Sequence, residues 1–267
     1  MRLLALAVVS VALALAAPGA AAPAATIDVS GSTTALPLVA DLAFFYRQEV
    51  RRPPRFTIVG GGSEAGVSDV SRGIVDVAMV SRARLPDDPR RLVFAPFAAS
   101  AICLVTHRSN PVPGFGRAQL QGLVGGSLTS WEQVAGAGRT GPVVHAAFAP
   151  GTAAISVFLS TFVDEATEIG YEPRSFSTAA QMRAFVRATP AAWGYVDLAF
   201  SGGLHVVPYE GVPCTRATVA DRSYPGRREL SLVTRGAPSR PVARFLRWMR
   251  TSRTARRVIA TRYVRVG

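Results

Sequence analysis

The chain has 267 residues, 49% of them hydrophobic, and a formal net charge of +13 from 30 basic against 17 acidic residues. That apolar content builds a sizeable core over a length that suits one large or two medium domains, which excludes a disordered chain. Every basic residue is Arg and none is Lys, a composition bias rather than a patch that tracks phosphates, so nucleic acid is not an expected partner.

Met1 and Arg2 give a positive start, Leu3 to Ala17 are almost wholly apolar, and Ala20-Ala21-Ala22 offers a small-residue cleavage site, so residues 1–22 read as an export signal. The apolar run is shorter than the ~20 residues a spanning helix needs. A periplasmic or secreted protein, soluble after cleavage, is therefore expected.

Residues 26–29 alternate as a strand, Gly31-Ser32-Thr33-Thr34 form a polar turn, and residues 36–47 have helical periodicity. The unit repeats. Residues 55–59 read as a strand ending in Gly60-Gly61-Gly62-Ser63, residues 65–72 as a helix, and residues 75–80 as a strand that stops at Ser81-Arg82. Strands are expected at 92–97 and 101–106, followed by a Pro- and Gly-rich connection at 108–116 that leads into a second lobe. There, residues 143–148 read as a strand, Pro150-Gly151-Thr152 as a turn and 153–162 as a helix. A helix at 181–188, strands at 193–196, 204–208 and 230–234, and C-terminal helical periodicity over 240–265 complete the pattern. In that last segment Val242, Phe245, Leu246, Met249 and Val258 form the apolar stripe and the arginines a solvated face.

A tetrahedral oxyanion needs many donors, and backbone N–H groups at helix N-termini supply them, with Ser and Thr hydroxyls adding more. Thr33, Thr34, Ser63, Ser81 and Gly151 with Thr152 all sit in turns directly after strands. One such residue is an ordinary N-cap; four such loops in an α/β chain point to one shared anion site, because ligands bind beside the carboxyl ends of strands in open sheets. Enzyme signatures fail. Gly60-Gly61-Gly62-Ser63-Glu64-Ala65 fits a loose dinucleotide pattern without the later ribose-binding acid, a P-loop needs Lys, and a nucleophile elbow would need Gly at Ala65. His107, His145 and His205 are scattered without metal-ligand spacing, so neither metal nor cofactor is expected. Cys103 and Cys214 are compatible with one disulfide or with two buried thiols.

These segments, together with 75–82, Trp193-Gly194-Tyr195-Val196 and Ser223-Tyr224-Pro225 leading into 230–233, resemble the phosphate-type substrate-binding proteins of ABC transporters, a branch of the periplasmic binding protein fold. The resemblance covers nearly all of the mature chain. It implies two α/β lobes, each a mixed sheet flanked by helices, joined by crossing hinge strands: residues 23–98 with 223–267 in one lobe and 99–222 in the other. It further implies a monomer that holds a small oxyanion, with phosphate leading, and presents it to a membrane ABC permease, and it implies no catalysis. Carried over by position, Thr33, Thr34, the Ala35 backbone, Ser63, Ser81, Arg82, Gly151 and Thr152 would hold the anion. The fourth loop, His145-Ala146-Ala147-Phe148-Ala149-Pro150-Gly151-Thr152, has Pro where the family pattern has Ser and lacks its Arg. A lost charge-assisted hydrogen bond of about 1.5–3 kcal/mol weakens binding roughly tenfold to a hundredfold unless Arg82 or His145 compensates. The rival expectation is a binding-fold protein that has lost its anion site and serves as a protein-interaction module.

Overall fold

A computed structural model of the protein describes residues 25–150, 152–164, 167–170 and 172–266. The expected export signal, residues 1–22, and Gly151 lie outside the described residues. In chain order the elements are β1 (Thr26–Gly31), α1 (Leu36–Glu49), β2 (Arg55–Gly60), α2 (Ser63–Arg72), β3 (Val77–Val80), β4 (Leu92–Thr106), α3 (Arg117–Gly125), β5 (Val144–Phe148), α4 (Ala153–Phe162), β6 (Arg174–Phe176), α5 (Ala179–Ala188), β7 (Ala192–Asp197), β8 (His205–Val207), α6 (Arg216–Ala220), β9 (Arg227–Arg235), α7 (Arg240–Thr251), α8 (Arg253–Arg262) and β10 (Val264–Arg265).

The strands run in the order β2-β1-β3-β9-β4-β7-β5-β6, with β8 and β10 also pairing β4. Parallel pairs at each end, β2-β1-β3 and β7-β5-β6, are the products of strand–loop–helix units, and antiparallel β9 and β4 connect them. The result is the two-lobed periplasmic binding protein fold, with a curled mixed sheet and flanking helices. Its buried apolar residues fall into separate clusters. One joins residues from Ala99 to Tyr224, centred on Trp131, Trp193, Tyr195 and Phe158. Another joins Ile27, Leu42, Tyr46, Leu230, Leu232, Phe245 and Ile259, packing α1, α7 and α8 on one face of β1, β3 and β9. A small third cluster sets α2 through Val67 and Val70 against Ala78, Val80 and Val233 on the other face.

Three differences from the sequence expectations matter for function. The two strands expected at 92–97 and 101–106 are one continuous strand. Its first half pairs with β9 and its second with β7 and β8, and Phe97 is stepped over where the register shifts between Pro96 and Ala98. Small Ala98, Ala99 and Ser100 carry the backbone between the lobes without a turn. Strand β9 begins at Arg227, ahead of the apolar run at 230 where a strand is expected, and so puts Arg228 opposite Ser100. The C-terminal helical segment breaks at Ser252, whose hydroxyl accepts from the amides of Thr254 and Ala255 and starts α8 afresh.

Of the two readings open for the cysteines, the structure has the disulfide: Cys103 on β4 is bonded to Cys214 ahead of α6, closing a separation of 111 residues. Replacing both by Ser is expected to lower unfolding stability by about 2–5 kcal/mol, as for other native disulfides. Urea titration of the variant beside the wild type checks this, and equal midpoints would refute it.

After β3, Arg82 turns away from the sheet ends and organises the loop that follows. Its Nη1 and Nη2 donate to the two carboxylate oxygens of buried Asp88 at 2.8 and 2.9 Å, and its Nε donates to Glu64 at 2.9 Å. Hydrogen bonds from Arg82, with one from the Leu85 amide, hold the Asp88 carboxyl below the usual carboxylate range against the opposing effect of burial. A carboxyl depressed in the folded state stabilises the fold above its unfolded pKa, about 3.9, and loses that contribution as pH falls through the folded value. Asp88→Asn is therefore expected to destabilise the protein at pH 7 and to lose most of that difference in strong acid. A urea-midpoint gap that stays constant with pH would contradict this account.

Candidate functional site

Strands β1, β2 and β3 end side by side, and two glycines let their loops converge. Gly31 has φ +127°, and a Cβ there would stand 2.2 Å from the Met79 carbonyl oxygen. A Cβ on Gly66 would stand 2.7 Å from the Gly31 Cα, so α2 lies directly on the end of β1. The amides of Gly61 and Gly62 both donate to the Gly31 carbonyl, at 2.8 and 3.0 Å, and fix the glycine loop there. Helix α2 then starts at Ser63 with its free N–H groups facing the same space.

A cavity of about 580 Å³ occupies this point. From the β1, β2 and β3 side it is lined by Ser32, Thr33, Thr34, the 60–65 loop and Ser81, and from the other side by Phe148, Thr152, Ala154, Ser177 and Thr178, with Arg228 between. Of the residues expected from sequence, the structure brings together Thr33, Thr34, Ser63, Ser81 and Thr152. It does not bring Ala35 or Arg82 to the wall. The Ala35 amide is spent on the Ser32 hydroxyl at 3.2 Å, and the Arg82 guanidinium on Asp88, Glu64 and the Ala83 carbonyl.

The buried serines form a directed chain. Ser32 Oγ accepts from the Ala35 amide and donates to Ser81 Oγ at 2.9 Å. Ser63 Oγ accepts from the Ser81 amide at 3.1 Å and stands 3.4 Å from Ser81 Oγ. The Ser32 proton is spent within this chain and the Ser63 and Ser81 hydroxyls share one hydrogen bond, which leaves one of their two protons for the cavity. Thr34 is held in the same way: its Oγ1 accepts from Arg228 Nη2 at 3.2 Å and its carbonyl from the Tyr263 hydroxyl at 3.2 Å. Burial pushes the Tyr263 phenol up, so it remains a donor.

Arg228, which is not among the residues expected from sequence, is the arginine that lines this cavity. It is buried, its Nη2 also donates to Asp197 Oδ2 at 2.9 Å, and its Nε is buried without a partner. Asp197 in turn accepts from Ser100 Oγ at 2.7 Å and from the Ala199 amide at 3.0 Å. The sequence signal was present: Arg228, Leu230 and Leu232 share the buried face of one strand, and a charge in that alternation marks a functional position. His145 does not compensate for the fourth loop, because it is buried against Trp193 with ring centroids 4.2 Å apart. Burial lowers its pKa to about 3, keeping it neutral.

On the far wall, Thr152 has its hydroxyl and amide both directed to the Ala149 carbonyl, at 3.0 and 3.3 Å. Thr178 caps α5, accepting from the Gln181 amide at 3.3 Å, and Ser177 precedes it at the mouth of the cavity. The near wall therefore carries the organised donors, and the far wall supplies hydroxyls that have to turn to meet a ligand.

The PBP superfamily domain model matches residues 16–253 of this chain. Phosphate-binding protein PstS 2 of Streptococcus pneumoniae is 31% identical over 110 residues, and the matched stretch spans 40% of this chain and about a third of the relative, 37%. Among solved structures, a phosphate ABC transporter substrate-binding protein from Clostridium perfringens with bound phosphate superposes with TM-score 0.83 at 21% identity, covering 91% of this chain and all of its own. An ABC-type phosphate transport receptor from Vibrio cholerae gives TM-score 0.71 at 22% identity, covering 89% of this chain and 99% of its own. The reduced form of OxyR from N. meningitidis gives 0.60 at 11% identity over 91% of this chain and all of its own, so these likenesses speak for the fold. With the family model matched along most of its length, the chain belongs to the periplasmic binding protein (PBP) superfamily.

Proposed function

We propose that this protein is an exported receptor that binds inorganic phosphate in the cleft between its lobes and delivers it to a membrane permease of the ABC type. The observation that carries the reading is the convergence of the Ser32, Ser63, Ser81 and Thr34 hydroxyls and the start of α2 around one cavity, beside a buried Arg228 whose Nε has no partner. Donors in excess of acceptors, around one cation, are what a small oxyanion requires. The phosphate named for the S. pneumoniae relative and for the C. perfringens structure supports the same ligand. Among the described residues no helix is long and apolar enough to cross a membrane.

In this reading Arg228 takes the place of the cation absent from the fourth loop, and Arg82 acts indirectly by holding Glu64. Glu64 lines the cavity, and its Oε1 already accepts from Arg82. A carboxylate at the wall repels a fully ionised oxyanion but accepts a hydrogen bond from one that still carries a proton. That favours hydrogen phosphate over sulfate. The lobes divide at residues 23–98 with 223–267 and 99–222, a division that the separate core clusters follow except at residues such as Tyr224 and Ala199, which pack across it. Closure about β4 and β9 would bring Thr152 and Ser177 onto an anion already seated on the near wall. The protein is a monomeric binder and not a catalyst.

Calorimetric titration with phosphate, sulfate, molybdate and arsenate tests the assignment, with a rise in melting temperature as the linked readout. Phosphate is expected to bind best, and Ser63→Ala to weaken it roughly tenfold to a hundredfold, the worth of one hydrogen bond to a charged group. An interaction module that has lost its anion site would respond to none of the four beyond generic salt effects. Glu64→Gln is expected to narrow the preference for phosphate over sulfate by roughly tenfold; an unchanged ratio would remove Glu64 from the selectivity mechanism.

A further inference from the structure

A second cavity of about 570 Å³ adjoins the first and shares Glu64 and Arg228 with it. Arg82, Ala83 and Leu85 from the loop after β3, Ser156, Val157 and Ser160 from α4, and Arg227 and Glu229 from β9 complete its walls. A bare oxyanion is satisfied by the hydroxyls and helix end of the first cavity and has no use for these side chains. Arg228 is common to both cavities. With Nη2 committed to Asp197 and Thr34, its buried, unpartnered Nε is a donor for an oxygen at their boundary.

Each charged side chain of the second cavity already has an ion-pair partner, Arg228 in Asp197 behind the wall. Arg82 is taken by Glu64 and Asp88. Arg227 gives its Nη2 to Glu229 at 3.1 Å and its Nε to the Val219 carbonyl. A second anionic group entering here would meet the Glu64 and Glu229 carboxylates and guanidinium groups that are each already in an ion pair, which disfavours a diphosphate. An uncharged substituent with both carbon and hydroxyl groups does fit. Leu85, Val157 and Ala83 give it apolar contact, the Glu229 carboxylate can accept from a hydroxyl, and Ser156 offers its own. Ser160 Oγ donates back to the Ser156 carbonyl at 3.0 Å, which leaves its lone pairs as acceptors.

We infer that the cleft takes a phosphomonoester of a short polyol, with the phosphoryl group in the first cavity and the hydroxylated carbon chain in the second. This rests on the oxyanion reading above and narrows its ligand class. Calorimetric titration of the purified full chain with inorganic phosphate, glycerol 3-phosphate and pyrophosphate tests it. Glycerol 3-phosphate is expected to bind at least as tightly as phosphate, and pyrophosphate more weakly than either. Ser160→Trp, at an exposed position of α4, fills the second cavity and should weaken glycerol 3-phosphate about tenfold or more while leaving phosphate within about twofold. Leu85→Trp, from the opposite wall, should do the same. Phosphate binding with glycerol 3-phosphate about a hundredfold weaker, or equal losses for both ligands in the Trp variants, overturns the inference while leaving the phosphate reading standing. Failure of all three ligands to bind overturns both.

Discussion

Arg228 and Asp197 are a buried ion pair at the junction of the lobes, and the site is built around it. Burying two charges costs several kcal/mol per ion, and such a pair persists only when the surrounding groups satisfy its remaining hydrogen-bonding capacity. Here Ser100 and the Ala199 amide complete the carboxylate, and Thr34 takes a second bond from the guanidinium. The arrangement ties the start of α1, the end of β7 and the first residues of β9 together. It is also incomplete, because the guanidinium Nε is buried without a partner, and that nitrogen belongs to a residue that lines both cavities.

The serine chain extends the same logic to neutral donors. A hydroxyl free to rotate must be ordered when a ligand arrives, whereas Ser32, Ser63 and Ser81 are ordered by one another and by the amides of Ala35 and Ser81. The ordering cost is met during folding, so more of each hydrogen bond is available for binding. Opposite them, Thr152 is bonded to its own loop. The two walls thus have different roles: one holds the anion before closure, and the other responds to it.

The fold was legible because its signals are local. Strands β1 and β2 are followed by Gly, Ser or Thr and then by helical periodicity, β3 stops at Ser81, and Thr33, Thr34, Ser63 and Ser81 in these turns line one cavity. Arg228 was not legible by the same means, because its partners are far away in sequence: Asp197 is 31 residues distant and Thr34 is 194. Arg82 lines the adjoining cavity and not the first one for a related reason. Its position at a strand end matches a ligand position, but Asp88, six residues on, claims its guanidinium. The three-residue strand β6 and the continuity of β4 through Pro96 and Phe97 depend on pairing with distant strands, which no window of sequence records.

Strand β4 belongs to both lobes at once. Its first half is zipped to β9, and its second half is hydrogen-bonded to β7 and stapled through Cys103. Neither lobe can therefore melt and leave the other's sheet intact, because the same backbone would have to be ordered and disordered within a few residues. Although its cores are separate, heating should dissolve the molecule in a single all-or-none step, with calorimetric and van't Hoff enthalpies in agreement.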